Sequence, residues 1–386
     1  MKPLRRIASA AATIVLALTL FGCRTTRPAS LGMIPAEGFV QGWHADLKMR
    51  GGEQINRMYL REGVLFVYTT NNRVFAVTPT GGELKAIMQV APRQGVVRPP
   101  VVLSDKWIFP TLSTFEVYTT AGKLERSADL GHATRGPATG SGNYLYVGLD
   151  YPAGERLVKV DFTKAFGKTI WELLTFGGIS AAPAVMEDAI YAGTEDARVF
   201  AVSPDRPPIW TTEGGIFRTE GPIVADLKSD ETGVYVACTD SKLYCIDRAS
   251  GRLKWQYFAG TPLRTQPVVT ADAVYQFVPG KGLVAIDKTT GKDFREPRWV
   301  APAAGRFLSQ DDKNVYVRSA EGNVAALDRK TGEPRFKSRR NDITVFAWPN
   351  TKDAMIYGAT PRGEVIAIKP VTTSGTMGQV VMNEMR

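Results

Sequence analysis

A short turn motif, Asp-x-x-(Ser/Thr)-Gly, occurs three times in succession in the second half of the chain, at 247–251, 287–291 and 328–332. Each copy follows an apolar run, and Leu243–Ile246 shows the two-residue alternation of a β-strand. The aspartate carboxylate accepts hydrogen bonds from amides of the turn, and the glycine supplies the positive φ that closes it. The motif therefore predicts a strand, a tight turn and another strand, repeated along the chain.

The aspartate position of this motif defines a repeat that extends over most of the chain in degenerate form. Neighbouring copies lie 40 to 44 residues apart by subtraction, and each has an apolar run upstream. A period of about 40 to 45 residues carrying four short strands is typical of propeller blades, whereas a β-sandwich has no reason to repeat its turns at a fixed step. We predict an all-β fold, an eight-bladed β-propeller of four-stranded antiparallel blades over residues 40–386. The eight copies lie at Thr78, Tyr118, Asp161, Ser203, Asp247, Asp287, Asp328 and Lys369.

The order of strand, short turn, Leu-x-x-Ile-Asp-x-x-Thr-Gly and then Trp resembles the PQQ-like, or quinoprotein-type, propeller repeat over about residues 40–370. The resemblance implies the fold and leaves the chemistry undecided, because both quinone-dependent dehydrogenases and cofactor-free proteins use this repeat. Those dehydrogenases carry a vicinal Cys-Cys pair at the active site, and the sequence has no such pair. The resemblance therefore favours a protein without a PQQ cofactor.

The first residues have the organisation of an export signal. Lys2, Arg5 and Arg6 precede the apolar run Ile7–Leu20, which is too short for a comfortable membrane span. The following Leu-Phe-Gly-Cys23 resembles the lipobox of bacterial lipoproteins, in which the cysteine is acylated. We predict a signal peptide over 1–22 and a lipidated tether over 23–39, with Cys23 as the lipidation site. An ordinary signal peptide with an incidental cysteine remains the alternative.

The tryptophan-bearing segment 41–47 resembles the strand that normally ends a repeat, although no repeat precedes it. The last repeat lacks such a strand after Lys369. We therefore expect the N-terminal segment to complete the last blade and close the ring; the alternative is the C-terminal run 378–382. The tryptophans that end other repeats are expected to pack between sheets, with looser packing in the first two repeats, which lack one. These residues are Trp171, Trp210, Trp255 and Trp299.

Side chains suited to catalysis are sparse. His44 and His132 are the two histidines, neither in a metal-binding spacing, and no nucleophile elbow or phosphate-binding loop is present. Cys238 and Cys245 are expected on facing strands, on one face but diagonally, where a disulfide is near the limit of reach. Two buried thiols are the alternative. We predict no catalytic residue, no metal site and no cofactor.

Arginines recur shortly before the first strand of several repeats. Because these connections run inward across one face of a propeller, we expect the guanidiniums to ring the channel mouth and to bind carboxylates of a protein partner. The alternative is that each arginine bonds a neighbouring loop carbonyl. The candidate partner-binding residues are Arg98, Arg135, Arg218, Arg264 and Arg306.

The overall plan of signal, acylated cysteine, tether and PQQ-like repeats resembles the BamB type of outer-membrane assembly lipoprotein. That resemblance implies a monomeric, non-catalytic propeller on the periplasmic side of the bacterial cell envelope, held by its lipid and binding protein. Arg24 after the cysteine favours the outer membrane over the inner one. The formal charge of +10 falls to +7 without Lys2, Arg5 and Arg6, and no long basic run suggests nucleic acid. A quinoprotein oxidoreductase and an envelope polysaccharide- or ligand-binding propeller are the alternatives.

Overall fold

The computed structural model describes residues 38–91, 95–164, 167–205, 208–210, 215–288, 296–338 and 340–371. The predicted signal peptide, Cys23 and the run 378–382 lie outside these ranges. The regular elements within them are β-strands, in agreement with the predicted all-β class.

The strands are short and follow one another closely along the chain. In chain order they are β1 (Phe39–Asp46), β2 (Ile55–Arg61), β3 (Val64–Thr69), β4 (Arg73–Val77), β5 (Leu84–Gln89), β6 (Val101–Leu103), β7 (Lys106–Pro110), β8 (Thr114–Thr119), β9 (Leu124–Asp129), β10 (Ala133–Thr134), β11 (Thr139–Ser141), β12 (Tyr144–Asp150), β13 (Arg156–Asp161), β14 (Lys168–Leu174), β15 (Ala184–Val185), β16 (Ile190–Gly193), β17 (Arg198–Val202), β18 (Ile216–Arg218), β19 (Lys228–Ser229), β20 (Val234–Ala237), β21 (Lys242–Ile246), β22 (Leu253–Phe258), β23 (Val268–Val269), β24 (Ala273–Val278), β25 (Gly282–Asp287), β26 (Trp299–Ala301), β27 (Ala304–Gln310), β28 (Asn314–Ser319), β29 (Val324–Asp328), β30 (Pro334–Lys337), β31 (Val345–Ala347), β32 (Ile356–Ala359) and β33 (Glu364–Pro370).

These strands form seven hydrogen-bonded sheets. Five sheets contain four antiparallel strands in chain order: β6–β9, β15–β18, β19–β22, β23–β26 and β27–β30. A sixth has five strands, because both β10 and β11 pair with β12, which continues to β13 and β14. The repeated four-stranded antiparallel sheet is the architecture of a β-propeller blade.

The seventh sheet has eight strands, in the order β1-β33-β32-β31-β2-β3-β4-β5. It consists of two four-stranded antiparallel halves that meet at a single parallel pair, Met58 with Ala347, between β2 and β31. The repeat itself is as expected from the sequence. Each four-stranded sheet, the main path of the five-stranded sheet and each half of the eight-stranded sheet has a third strand in chain order, and all eight predicted turn positions lie within one residue of the end of such a strand.

The N-terminal strand pairs with the last strand of the described chain. β1 runs antiparallel to β33, from Phe39 opposite Pro370 to Asp46 opposite Glu364, with an irregularity between Gln41 and Trp43. The predicted completion of the last sheet by residues 41–47 is therefore confirmed. This pairing covers the edge of β33, and β1 becomes the outermost strand of the sheet.

Burial explains why the second strands read as continuous apolar runs. β3 is buried along its whole length, because one of its faces packs against the other half of the same sheet and the other face packs against the next sheet. β5, the fourth strand of the same half, alternates exposed residues with buried Ala86 and Met88. The core therefore consists of layers between successive sheets, which is the arrangement expected when each repeat buries its surface only against its neighbours.

The tryptophans that end the repeats pack between sheets as predicted. The Trp210 indole Nε1 donates to the Arg248 carbonyl of the next sheet at 2.8 Å, and its ring lies against Gly251. A Cβ on Gly251 would approach the ring to 2.6 Å, so this position needs glycine both for its positive φ and for contact. The same indole contact joins Trp43 to Pro79, Trp171 to Pro204 and Trp299 to Arg329.

Three repeats, those that end in β5, β9 and β30, lack this tryptophan, and Phe336 holds the position in β30. The other two fill it with side chains that are not aromatic. Ala86 stands there in β5, with its Cβ against Gly122 of the next sheet. Arg126 stands there in β9, and its Nη2 donates to the Phe162 carbonyl at 2.6 Å. A guanidinium thus makes the inter-sheet hydrogen bond that an indole makes elsewhere in the repeat.

The expectation that Cys238 and Cys245 share a face is wrong. Ala237 pairs with Leu243, so the turn between β20 and β21 is one residue shorter than the sequence suggested. Because side chains alternate along a strand, this difference moves Cys245 to the opposite face from Cys238. No disulfide joins them, and burial raises the pKa of the Cys238 thiol to about 11.

Candidate functional site

A cavity of about 520 Å³ lies at one end of the channel, where the first strands of the sheets begin. Its wall is formed by β2, β27, β28 and β31 together with the segments that lead into β6, β19 and β23. Because the first strand of each blade lines the channel of a propeller, residues far apart in sequence meet here. Five arginines dominate the lining: Arg57, Arg61, Arg264, Arg306 and Arg318.

Aromatic rings hold four of these guanidiniums. Arg306 lies 4.5 Å from the ring centroid of Trp348, and Arg318 lies 6.0 Å from that of Phe346. On the other side, Arg57 lies over Tyr68 at 5.0 Å and Arg61 over Tyr59 at 5.5 Å. Cation–π contact fixes a guanidinium without neutralising its charge and leaves its in-plane N–H groups available as donors.

The cavity is strongly cationic, and Asp226 is the single carboxylate that lines it in the part of the chain that the structure describes. The Asp226 Oδ1 accepts from the Ala182 amide at 2.9 Å. Within the described ranges, no carboxylate lies within 4.0 Å of any of the five guanidiniums. Burial lowers the pKa of Arg306, and repulsion from the Arg318 charge lowers it further. The site therefore collects more positive charge than the described residues around it compensate.

The backbone supplies the neutral partners of two of these arginines. Arg57 Nη1 donates to the Val97 carbonyl at 2.7 Å, and Arg61 Nη1 donates to the Leu60 carbonyl at 3.0 Å. A guanidinium has five N–H groups, so donors remain on both side chains. The site is suited to anions with several oxygens, which match the fork of the guanidinium.

The structure brings together Arg264 and Arg306 from the set predicted from the sequence. Arg264 lies four residues before Val268, the residue that pairs with Tyr275 in the adjacent strand. In the sheet β19–β22 the same position, four residues before Lys228, is held by Val224, which also lines the cavity. The role of these residues in partner binding stays a prediction.

The other three predicted arginines lie elsewhere. Arg218 is an exposed residue of β18, the outermost strand of its sheet, because a longer segment separates it from the next first strand. Arg135 lies at the equivalent of Arg264, but its guanidinium pairs with Glu155 at 2.7 Å and with Glu195 at 3.3 Å. The expectation of one ring containing all five arginines is therefore corrected.

Arg98 bonds a loop carbonyl, which was the alternative to partner binding for these arginines. Its Nη2 donates to the Thr134 carbonyl at 3.0 Å, and burial lowers the pKa of its guanidinium. The neighbouring Pro99 lines the cavity. Adjacent residues thus have different roles here: Pro99 lines the cavity, whereas the Arg98 side chain bonds an adjacent sheet.

Sequence reasoning missed Arg57, Arg61 and Arg318. Arg57, Tyr59 and Arg61 alternate along β2, and this two-residue pattern of arginines was a usable signal. Arg318 lies near the end of β28, a second strand, and nothing local in the sequence distinguishes it from a surface residue.

A second cavity of about 1090 Å³ lies where the first strands end, and Arg61, Asp226 and Gln266 line both cavities. Its charges are mixed and partly paired: Lys288 contacts Asp230 at 2.5 Å. Lys228 also lines it, and burial lowers the pKa of this lysine. The two ends of the channel therefore differ in how their charges are compensated.

The histidines do not form a metal site in the structure. His132 stacks on Tyr151 with ring centroids 3.5 Å apart, and Gln41 Nε2 lies 3.2 Å from His44 Nδ1. In the part of the chain that the structure describes, no group of three His, Cys, Asp or Glu side chains is placed to hold a metal ion. The same ranges contain no helix with the length and apolarity needed to cross a membrane.

Comparison with known proteins matches both the repeats and the fold. A curated protein from Nitrosomonas eutropha, "Outer membrane protein assembly factor BamB", is 30% identical over 151 residues, which span 37% of this chain and 35% of that relative. The crystal structure of BamB from Moraxella catarrhalis superposes with a TM-score of 0.65 at 16% identity, covering 88% of this chain and 99% of that one.

Two further solved structures share the fold. The computationally designed Ika8 protein superposes with a TM-score of 0.64 at 14% identity, covering 83% of this chain and 98% of its own. The C-terminal WD40 domain of Sif2 gives 0.61 at 14% identity, covering 86% and 98%. Identities this low indicate a shared propeller architecture and carry no statement about function.

A family model described as "Outer membrane protein assembly factor BamB" matches residues 107–338 and 279–375, which together span more than half of the chain. The matched region covers the repeats from the second sheet to the last strand. The chain therefore belongs to the BamB family of PQQ-like β-propellers.

Proposed function

We propose that this protein is a non-catalytic scaffold of the bacterial cell envelope that binds protein partners during outer-membrane protein assembly. The family match over residues 107–375 carries this proposal, since the family is described as an assembly factor. The repeated sheets support it, because a propeller presents extended rigid surfaces on which partners can dock.

The proposal includes eight blades. The eight-stranded sheet then counts as two blades, β2–β5 and β31–β33 with β1, because a single parallel residue pair joins its halves while each half has its own antiparallel ladder. The eight equivalent third-strand turns support the same count. The chain would act as a monomer, since ring closure is completed within it.

The proposal also includes a lipid anchor at Cys23, on the periplasmic side of the outer membrane. The apolar segment 7–20 followed by Leu-Phe-Gly-Cys supports it. Two or more acyl chains on one cysteine hold a protein at a membrane firmly, whereas one chain gives marginal binding. The tether over 23–39 would place the propeller close to the lipid surface.

The decisive experiment is a crosslinked pull-down of the full chain from the envelope of its own cell. We expect recovery of a barrel-assembly protein with wild type. Cys23→Ser should move the protein to the soluble fraction and lower that recovery, with the propeller still folded. Correct membrane placement with no barrel-assembly protein recovered would contradict the scaffold role. Processing that is insensitive to globomycin would contradict the anchor, and a dialysable quinone absorbance would contradict the absence of catalysis.

A further inference from the structure

The arginine-lined cavity is built to keep its charges in place without neutralising them. Four of its five guanidiniums lie against aromatic rings, and none has a carboxylate within 4.0 Å among the described residues. Arginines elsewhere in the same fold are paired: Arg329 with Asp272, Arg248 with Asp188 and Arg73 with Glu53. Carboxylate partners are therefore common for arginines elsewhere in the described chain, whereas the five arginines clustered in this cavity have none.

Concentrating these charges has a cost that a bound anion would remove. The pKa of Arg306 is lowered by burial and by the nearby Arg318 charge, so the surroundings disfavour the charged form of Arg306. Asp226, the single lining carboxylate among the described residues, accepts a hydrogen bond from the Ala182 amide. A bound anion would supply the negative charge that the described residues of the wall lack.

The size of the cavity indicates the class of ligand. A volume of about 520 Å³ holds roughly 17 waters at about 30 Å³ each, so one inorganic anion cannot reach guanidiniums on all its walls. A segment of polypeptide carries several carboxylates spaced along its length. The amides and hydroxyls of the wall suit the polar backbone of such a segment: Asn56, Thr265, Gln266 and Thr344.

We propose that this end of the channel binds an acidic polypeptide segment, with its carboxylates held by Arg57, Arg61, Arg264, Arg306 and Arg318. The inference rests on the proposed function, because it identifies the chemistry of the partner and where that partner enters. Guanidinium forks bind carboxylates through two parallel hydrogen bonds. Like-charged segments are repelled, so the site selects acidic partners and its on-rate falls as salt screens the attraction.

The test uses the purified full chain and a fluorescently labelled hexaglutamate, with labelled hexaglutamine as the neutral probe. We expect hexaglutamate to bind at low salt, to weaken as salt rises, and hexaglutamine not to bind. Arg264→Gln/Arg306→Gln should weaken hexaglutamate binding at least about tenfold, equivalent to roughly 1.4 kcal/mol. Melting curves establish that the variant is folded.

A matched control removes the same charge from the other end of the sheets. Arg252→Gln/Lys330→Gln changes two exposed residues in turns that follow third strands. Antiparallel order places these turns opposite the start of the first strands. We expect this variant to keep wild-type affinity apart from a small change in salt dependence; an equal loss in both variants would overturn the site, since net charge alone would then explain binding.

Further outcomes separate this inference from the function on which it rests. Tighter binding of pyrophosphate than of hexaglutamate, lost in the Arg264→Gln/Arg306→Gln variant, would make the cavity a small-anion site and overturn the polypeptide ligand. Failure of hexaglutamate to bind, with a barrel-assembly protein still recovered in the pull-down, would overturn the inference alone. Hexaglutamate binding without recovery of such a protein would overturn the proposed function and leave the anion chemistry of the site standing.

Discussion

The same tryptophan–glycine contact joins consecutive sheets and, at the ring closure, the two halves of the eight-stranded sheet. The two junctions differ in what holds that contact in place. Between consecutive sheets, Trp210 packs on Gly251, and the chain itself links the two sheets. At the closure, Trp43 packs on Gly82 in the same way, but the strand that carries it pairs with β33 from the far end of the chain. The Trp210 contact is therefore maintained by the continuous chain between two sheets, whereas the Trp43 contact is maintained by the backbone hydrogen bonds between β1 and β33.

A second difference is the buried ion pair beside the closure. Arg73 Nη1 lies 2.5 Å from Glu53 Oε2, and both side chains are almost fully buried. Glu53 also accepts from the Thr69 hydroxyl and the Arg50 amide. The ion pair thereby holds the segment between β1 and β2 in place. At the interior junctions the continuous chain between consecutive sheets has that role.

Removing the closing strand should have the largest effect. Deletion of Phe39–Asp46 exposes the edge of β33 and removes the buried side chains of Phe39 and Trp43, so we expect a loss of at least about 5 kcal/mol, comparable with the whole stability of a typical domain. Deletion of 24–37 is the control and should leave the melting temperature unchanged. Equal melting temperatures for the two deletions would show that β1 does not carry the closure.

Breaking the ion pair should come next. Glu53→Gln leaves the Arg73 charge buried without its carboxylate, and we expect a loss of about 3–5 kcal/mol in urea unfolding at pH 7. The exposed pair of Lys48 with Asp46 is the control, and Asp46→Asn should cost less than about 1 kcal/mol. Similar losses for the two variants would contradict the special role of the buried pair.

The same pair predicts a pH dependence. Burial by itself raises the pKa of Glu53, but hydrogen bonds from Arg50 and Thr69 and the Arg73 charge outweigh it and hold the pKa below the ordinary 4.5. A depressed folded pKa stabilises the protein above the unfolded pKa, and this stabilisation is lost as the pH falls through the folded value. We expect wild type to lose more stability than Glu53→Gln between pH 6 and pH 3, measured by urea unfolding.

Glycine substitutions compare the two junctions directly. A Cβ would come within 2.5 Å of Trp43 at Gly82 and within 2.6 Å of Trp299 at Gly332, both at positive φ. We expect Gly82→Ala and Gly332→Ala each to cost about 2–4 kcal/mol from strain and overpacking together. Gly52→Ala, at a similar φ with no atom within 4 Å, isolates the backbone strain and should cost about 1–2 kcal/mol. If Gly332→Ala loses no more stability than Gly52→Ala, Trp299 is not packed tightly against Gly332.

The smallest effect is expected where an arginine replaces the tryptophan. Arg126→Met removes the hydrogen bond to the Phe162 carbonyl and keeps most of the side-chain volume, so we expect a loss of about 1–2 kcal/mol in thermal unfolding. Lys168→Met, an exposed change on the next sheet, should be within about 0.5 kcal/mol of wild type. No loss for Arg126→Met would show that the guanidinium does not substitute for the indole.

Features set by local chemistry were predictable from the sequence. The turn after each third strand needs a hydrogen-bonding side chain and a glycine at fixed spacing, so it recurs visibly at Asp247 and Asp328 even where other copies degenerate. The closing strand was predictable for a similar reason, because its tryptophan occurs without a preceding repeat. A backbone conformation that recurs at a fixed spacing requires the same residue types at that spacing, and the sequence shows them.

The candidate site was predictable only in part. Arg264 and Arg306 were found from their offset to a first strand, but that offset does not fix whether a guanidinium enters the channel. Arg135 has the same offset and is drawn to Glu155 and Glu195, carboxylates supplied by other loops. The local sequence pattern does not show which side-chain partners distant sheets will contribute. It also does not show a one-residue difference in turn length, such as that in the turn before Cys245.

The pairing of β1 with β33 also sets the order in which this chain can mature. β1 precedes every other described strand and its partner follows all of them, so the first strand to be synthesised has to wait until the last has been made. Contacts of such high sequence separation form late and slowly, and the intervening sheets acquire their packing before the ring is complete. Until the two strands meet, β1 lacks its partner and is available to pair with other chains, so a chaperone that covers β1 would be most valuable before β33 has been made.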